Sequence, residues 1–312
     1  MGISLYQAAF LLHLQTKCGV NFQRTLTIGR QSLFLEADDT PALFHRFSLK
    51  ITREQAGDMV AEGKGYSEPF LCRLGAAVTD SLDASSYEGA SIIHDMNTPV
   101  PESLLHSYTA VIDSGTLEHI FDFPSAVRNC MDMVSLGGHF IAITPTNNFN
   151  GHGFYQFSPE LFFRILSKEN GFQDTHVLIC EDASPFRWYE VADPEQIQKR
   201  VELINHRPAS LLVCSRRSEL KSPFILRPYQ SDYVAAWRNN TGIGYNARRA
   251  VNRPLLRLIL HRLARQPFEM FNVVRSLCHI ATTSRRFPKP SFTPVTVSLQ
   301  TKVSQESIGW PV

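Results

Sequence analysis

The sequence predicts an α/β protein built on a mostly parallel sheet with helices on its faces. Strand-like and helix-like stretches alternate from Thr25 to Arg217, the pattern of parallel strands joined by helical crossovers. Apolar residues make up 43% of the 312 positions, enough to bury a core and too many for a disordered chain. Prolines and glycines fall where helices should start and stop. The length suits one large domain or two modest ones.

Seven candidate strands follow in order: Thr25–Gly29, Val78–Asp83, Ala90–Asp95, Tyr108–Asp113, Gly138–Thr144, Thr175–Cys180 and Ala209–Ser215. Helices are expected over Arg53–Glu62, Pro69–Leu74, Pro124–Val134 and Pro159–Lys168. Pro124 and Pro159 suit a first helical turn, where a missing N–H costs nothing, and Ser158 is a natural N-cap. Gly137-Gly138 reads as a tight turn into the next strand, and Gly171 as a helix stop before Phe172. The run Ala8 to Leu12 reads as an amphipathic helix rather than a secretory signal, because no Lys or Arg precedes it. No apolar run approaches the ~18 residues of a membrane-spanning helix.

After Arg217 the character changes. Residues 1–215 hold 15 Lys+Arg against 25 Asp+Glu, whereas residues 216–312 hold 16 against 4. A net charge of +2 therefore conceals an acidic body and a basic C-terminal region. Arg253–Arg265 reads as a basic amphipathic helix with Leu256, Ile259, Leu260 and Leu263 on one face, and Met270–Ile280 as a second helix. Residues 285–312 are rich in Pro, Ser and Thr and read as a flexible tail. The expected organisation is a body over 1–217, a basic helical extension over 218–284 and that tail. The extension could pack on the body or contact an anionic membrane or acidic partner. No motif for reading nucleic acid is present. Six singly spaced cysteines suggest buried free thiols in a reducing, cytoplasmic setting.

Three successive strands end in a carboxylate: Asp83, Asp95 and Asp113. Ligands of open α/β sheets bind beyond the carboxyl ends of the strands, beside the switch in strand order. Acids there can accept from ribose hydroxyls, an adenine amino group or a ligand ammonium. The alternative use of each is to cap its own turn.

Tyr108 to Gly138 reads Tyr-Thr-Ala-Val-Ile-Asp-Ser-Gly-Thr-Leu-Glu-His-Ile, then Phe-Asp-Phe-Pro, a helix, and Leu-Gly-Gly-His. This resembles the class I S-adenosylmethionine-dependent methyltransferases, in which an acid-ended strand is followed by a Glu-His pair, a helix and a Gly-Gly turn. The resemblance covers roughly residues 25–217 and implies a seven-stranded, Rossmann-like sheet. It implies that Asp83 holds the ribose, that Asp95-Met96 contacts the adenine, and that Asp113 lines the donor and acceptor pockets. S-adenosyl-L-methionine is the implied cofactor, and transfer of its methyl group the implied reaction. The first strand departs from the family pattern: its end, Thr25-Leu-Thr-Ile-Gly-Arg-Gln31, has one glycine where the family has a glycine-rich acidic loop. About 48 residues, Arg30–Ala77, then precede the next strand, more than one crossover helix needs. Arg30 beside Gly29 could meet the methionine carboxylate bidentately, or lie at the surface.

A hydroxyl acceptor needs a base near neutrality, and histidine is the usual choice. His119, beside Glu118, and His152, in Asn150-Gly-His-Gly-Phe-Tyr155, are the candidates, with Tyr155 on the acceptor side. His94, within an apolar strand, reads as core. No His-x-x-x-His pattern appears and no metal is expected. Neither a Gly-x-Ser-x-Gly elbow nor a phosphate-binding loop is present. The reading is methyl transfer to a small-molecule or glycan hydroxyl. The alternative is a catalytically inactive methyltransferase-fold binding or scaffolding module, with the basic region contacting a partner.

Overall fold

The computed structural model describes residues 2–182, 186–238 and 291–295. A nine-stranded sheet dominates them, in the order β11-β9-β8-β10-β7-β6-β2-β4-β5. The strands expected from sequence are β2 (Arg24–Ile28), β4 (Val78–Asp83), β5 (Ile92–Ile93), β6 (Tyr108–Ser114), β7 (Val134–Asn147), β8 (Phe172–Glu181) and β10 (Ala209–Arg217). Two more, β9 (Trp188–Val191) and β11 (Phe292–Val295), extend one edge. The expected count of seven therefore rises to nine. The sheet is mostly parallel in direction, with only β9 and β10 reversed.

The first five strands of this sheet in chain order, β2, β4, β5, β6 and β7, lie as 3-2-1-4-5. The chain thus builds outward from β2 in one direction, then returns and builds from β6 in the other. That reversal opens a crevice between the carboxyl ends of β2 and β6.

Alternation along the inner strands explains why both faces are covered. Ala110, Ile112, Ile141, Ile143, Leu212 and Cys214 belong to one buried layer, and Val111, Phe140, Ala142, Leu211 and Val213 to the other. The first layer is closed by α1 (Leu5–Lys17), α2 (Thr40–Arg46), α3 (Arg53–Glu62) and α4 (Glu68–Arg73). The second is closed by α5 (Phe123–Met133) and α6 (Pro159–Ile165). Each large apolar side chain so buried contributes about 1.5–3 kcal/mol.

The N-terminal helix is more deeply set than its amphipathic reading implied. Ala8, Ala9, Phe10, Leu11, Leu12 and Leu14 of α1 are all buried, as expected of a helix that is apolar nearly all round. Phe10 meets the buried Trp188 of β9 edge-on at 6.0 Å. The 48-residue interval after β2 is accounted for by β3 (Ser32–Leu33), which pairs with β1 (Gly2–Ile3), followed by α2, α3 and α4. Pro159 opens α6, and the Ser158 hydroxyl accepts from Leu161 N at 3.4 Å. The Gly137-Gly138 turn proves to lie inside β7, where Gly137 takes φ +77° and the register with β6 shifts. A Cβ at Gly138 would stand 2.9 Å from Thr109 O, so glycine there permits close strand approach.

Three further expectations change. Residues 291–295 are not a free tail, because Phe292–Val295 pairs with β9 and buries Phe292. Cys130, Cys180 and Cys214 are buried free thiols, but Cys18 and Cys72 are exposed. His94 is half-buried rather than core, its Nε2 lying 3.1 Å from Thr98 O. The helices expected over Arg253–Arg265 and Met270–Ile280 lie outside the described residues. Among the described residues, no helix is long and apolar enough to cross a membrane.

Candidate functional site

The crevice has two walls. On the first, β2 ends at Gly29, whose φ of +71° turns the chain sharply while its N–H donates to Leu82 O at 2.7 Å. This conformation favours glycine. The Arg30 side chain does not project freely. Its Nε donates to Glu68 Oε1 at 2.7 Å, Nη1 donates to Glu88 O at 2.8 Å, and the guanidinium lies 3.8 Å from the centre of the Tyr66 ring. Arg30 thus pins the loop after β4 to the start of α4, a task additional to any contact with a carboxylate. Gln31 is buried and donates through Nε2 to Ile28 O at 2.7 Å, an oxygen that also accepts from Thr116 Oγ1 at 2.7 Å. That shared carbonyl laces the ends of β2 and β6 together.

Beyond β4 and β5 on the same wall stand Asp83 and Asp95. Asp83 is half-buried, and one of its oxygens accepts from Ser85 N at 3.1 Å. Asp95 is exposed and accepts from Asn97 N at 3.0 Å and Asn97 Nδ2 at 2.7 Å. Those hydrogen bonds hold its carboxyl below the ordinary value. Both acids therefore cap their own turns while remaining solvent-accessible. Met96 packs into the core and is only 4% exposed, its carbonyl accepting from Asn129 Nδ2. Its side chain packs with Leu26, Ile28 and Leu82 in the buried layer on that face of the sheet.

The second wall is built from β6. Asp113 and Ser114 at its end are fully buried. Asp113 Oδ1 accepts from Thr116 N at 3.0 Å and Leu117 N at 3.1 Å, which caps the 3-10 turn Leu117–His119. Burial, then the nearby Glu118 charge, pushes the Asp113 carboxyl well above the usual range, against the opposing backbone hydrogen bonds. Burial likewise pushes Glu118 up to about 7. Asp113 Oδ2 and Glu118 Oε2 are buried without a hydrogen-bond partner. Burial thus works against the charged form of both adjacent carboxyls.

The segment after β7 closes over this turn. Gly153 takes φ +70°, and a Cβ there would stand 2.7 Å from Glu118 O. The same Glu118 oxygen accepts from Phe154 N at 2.7 Å and Tyr155 N at 3.3 Å. The Tyr155 hydroxyl donates to Phe121 O at 2.6 Å, so this residue fastens the loop. The clamp brings His152 Nε2 to 3.4 Å from Glu118 Oε1 and sets the His119 and His152 rings 4.9 Å apart. Burial, then the charge of His152, lowers the His119 pKa and favours a neutral imidazole. Exposed Phe121 and Phe154 meet edge-on beside them.

The structure therefore gathers His119, His152, Tyr155 and Asp113 on one wall, and Gly29, Arg30, Asp83 and Asp95 on the other. Sequence reasoning passed over Gln31, Thr116 and the centrality of Glu118. An acid set within Thr-Leu-Glu-His-Ile was the one available signal for Glu118. Nor did the sequence indicate that Gln7 Nε2 would donate to Ser114 Oγ at 3.1 Å, placing the start of α1 against the crevice.

No family model matches the chain, and no curated protein matches it. Among solved structures it is similar to a SAM-dependent methyltransferase from Thermotoga maritima, with 15% identity and a TM-score of 0.32 over 68% of this chain and 91% of that one. It is similar to a SAM-dependent methyltransferase from Archaeoglobus fulgidus, with 11% identity and a TM-score of 0.34 over 66% and 92%. A third likeness is to the YcgJ protein of Bacillus subtilis, with 13% identity and a TM-score of 0.34 over 69% and 99%.

Proposed function

We propose that the protein transfers a methyl group from S-adenosylmethionine to a hydroxyl of a small molecule or glycan. The observation that carries this reading is the pair of accessible acids, Asp83 and Asp95, at adjacent strand ends beside Gly29. They are suited to accept from ribose hydroxyls and an adenine amino group respectively, and the β6 wall would face the acceptor. S-adenosylmethionine, when bound, would supply a methyl group on a positively charged sulfur, open to displacement by an acceptor oxygen on that side. The hydroxyl proton passes to His152, which Glu118 orients. Catalysis of this kind rests mainly on alignment in a water-poor cleft, and the Gly153 clamp supports such alignment by fixing the loop.

The commitment of Arg30 to Glu68 and Glu88 favours a second reading, a binding module that retains the fold without the reaction. Calorimetric titration of the purified chain with S-adenosylmethionine and its demethylated product separates the two. Micromolar binding, about −8 kcal/mol, is the expected result. A folded sample that binds neither compound excludes the enzyme reading in favour of the module. In that case the basic region becomes the place to seek a partner, beginning with sedimentation on anionic vesicles.

A further inference from the structure

We infer that Glu118, His119 and His152 form a binding site for a first-row divalent transition metal. One ligand atom from each lies within 4.8 Å of the other two. Metal–ligand bonds of about 2.0–2.2 Å put neighbouring donors roughly 3–3.6 Å apart. Glu118 Oε1 and His152 Nε2 already stand at 3.4 Å. Closing the set requires only a small movement of two exposed imidazoles, while the carboxylate remains fixed in the wall.

Two independent features point to a ligand here. Glu118 is 1% exposed, yet its Oε2 has no hydrogen-bond partner. A buried polar atom left unpaired is costly, and a cation shared by both oxygens of the Glu118 carboxylate is one way to satisfy it. The backbone is also built to present the set. Glu118 O receives the N–H groups of Phe154 and Tyr155, and Gly153 lies flush against it. The residue that supplies the carboxylate therefore anchors the loop that supplies the second histidine. Nothing in the chain spacing, with 32 residues between His119 and His152, gave this away.

Two imidazoles and one carboxylate make a mixed nitrogen and oxygen set suited to zinc, iron or cobalt rather than to calcium or magnesium. Three protein ligands leave coordination positions open, here on the exposed histidine side. An acceptor hydroxyl could coordinate there and lose its proton more readily, and with metal bound His152 Nε2 would serve as a ligand in place of acting as the base. The binding site itself does not depend on the methyl-transfer reading.

The test uses the untagged full chain, stripped with chelator and titrated with cobalt(II) chloride while visible absorbance is followed. One equivalent should bind with a ligand-field spectrum, and zinc should displace it. His119→Ala and His152→Ala should each weaken cobalt binding at least tenfold, with folding verified by thermal unfolding. Because both histidines are exposed, these variants are expected to fold. Glu118→Gln should weaken binding as well, and Glu118→Asp should restore part of it. Unchanged affinity in either histidine variant, or no binding by the folded wild-type chain, overturns the inference.

Discussion

The two walls of the crevice use carboxylates in opposite ways. Asp83 and Asp95 stand beyond β4 and β5 with water access, and each is tied to its own turn. Asp113 and Glu118 follow β6 at 0% and 1% exposure, each with one oxygen unpartnered. The difference comes from what covers each strand end. β5 is two residues long and lies at the sheet edge, whereas β6 is central and is roofed by the N-terminal segment and the Gly153 loop. An acid left open to solvent can meet ligand hydroxyls at little cost. A central acid is desolvated, so its charged form is disfavoured unless a cation takes the place of the proton.

The largest expected effect concerns the buried wall. Glu118 titrates near 7 when folded and at 4.5 in the absence of burial. Folding thus takes up a proton between those values, so stability falls as pH rises through that window, by at most about 3 kcal/mol. Glu118→Gln should remove that slope, leaving the variant the more stable protein at pH 8 and the two similar below pH ~4.5. Thermal unfolding across pH, with chelator present, reads this directly. Identical pH profiles would erase the contrast between the walls.

Next in size, His152→Ala should lower turnover roughly 100-fold while affinity for S-adenosylmethionine stays near wild type. Equal losses in both would move His152 to the donor side. Gly153→Ala should cost about 1–3 kcal/mol of stability, because it places a Cβ in a left-handed conformation against Glu118 O. A neutral result in denaturant titration would show that the clamp is loose. Asp83→Ala should weaken donor affinity about tenfold, near 1.4 kcal/mol, yet change stability by less than about 0.5 kcal/mol. Retained affinity removes Asp83 as the ribose ligand. Asp95→Ala should act in the same direction by a smaller factor, since its carboxyl already spends two hydrogen bonds on Asn97.

Much of the sheet was legible because central strands announce themselves. Val111 and Ile112, or Leu211 and Leu212, form continuous apolar runs since both faces of the strand are covered. Edge strands gave weaker signals. Trp188–Val191 is four residues long, and Phe292–Val295 reaches it from roughly 100 residues away in the chain. No local pattern records such a pairing. The acids at the strand ends were visible as residues, but their burial was not, since it depends on chain from elsewhere folding over them. The same limit applies to Met96, which follows an exposed acid and yet faces the core.

The sequence by itself determined the alternation of elements, the helix starts at Pro159 and Arg53, and the presence of acids at three strand ends. These follow from local rules of periodicity, capping and turn chemistry that act within a few residues. Only the tertiary structure decided which acid is open to solvent and which is buried, that Arg30 is engaged by Glu68, and that His152 returns across 33 residues to Glu118. Each of those depends on which segments the sheet brings together, and electrostatics at a strand end is set by that cover rather than by the residue itself.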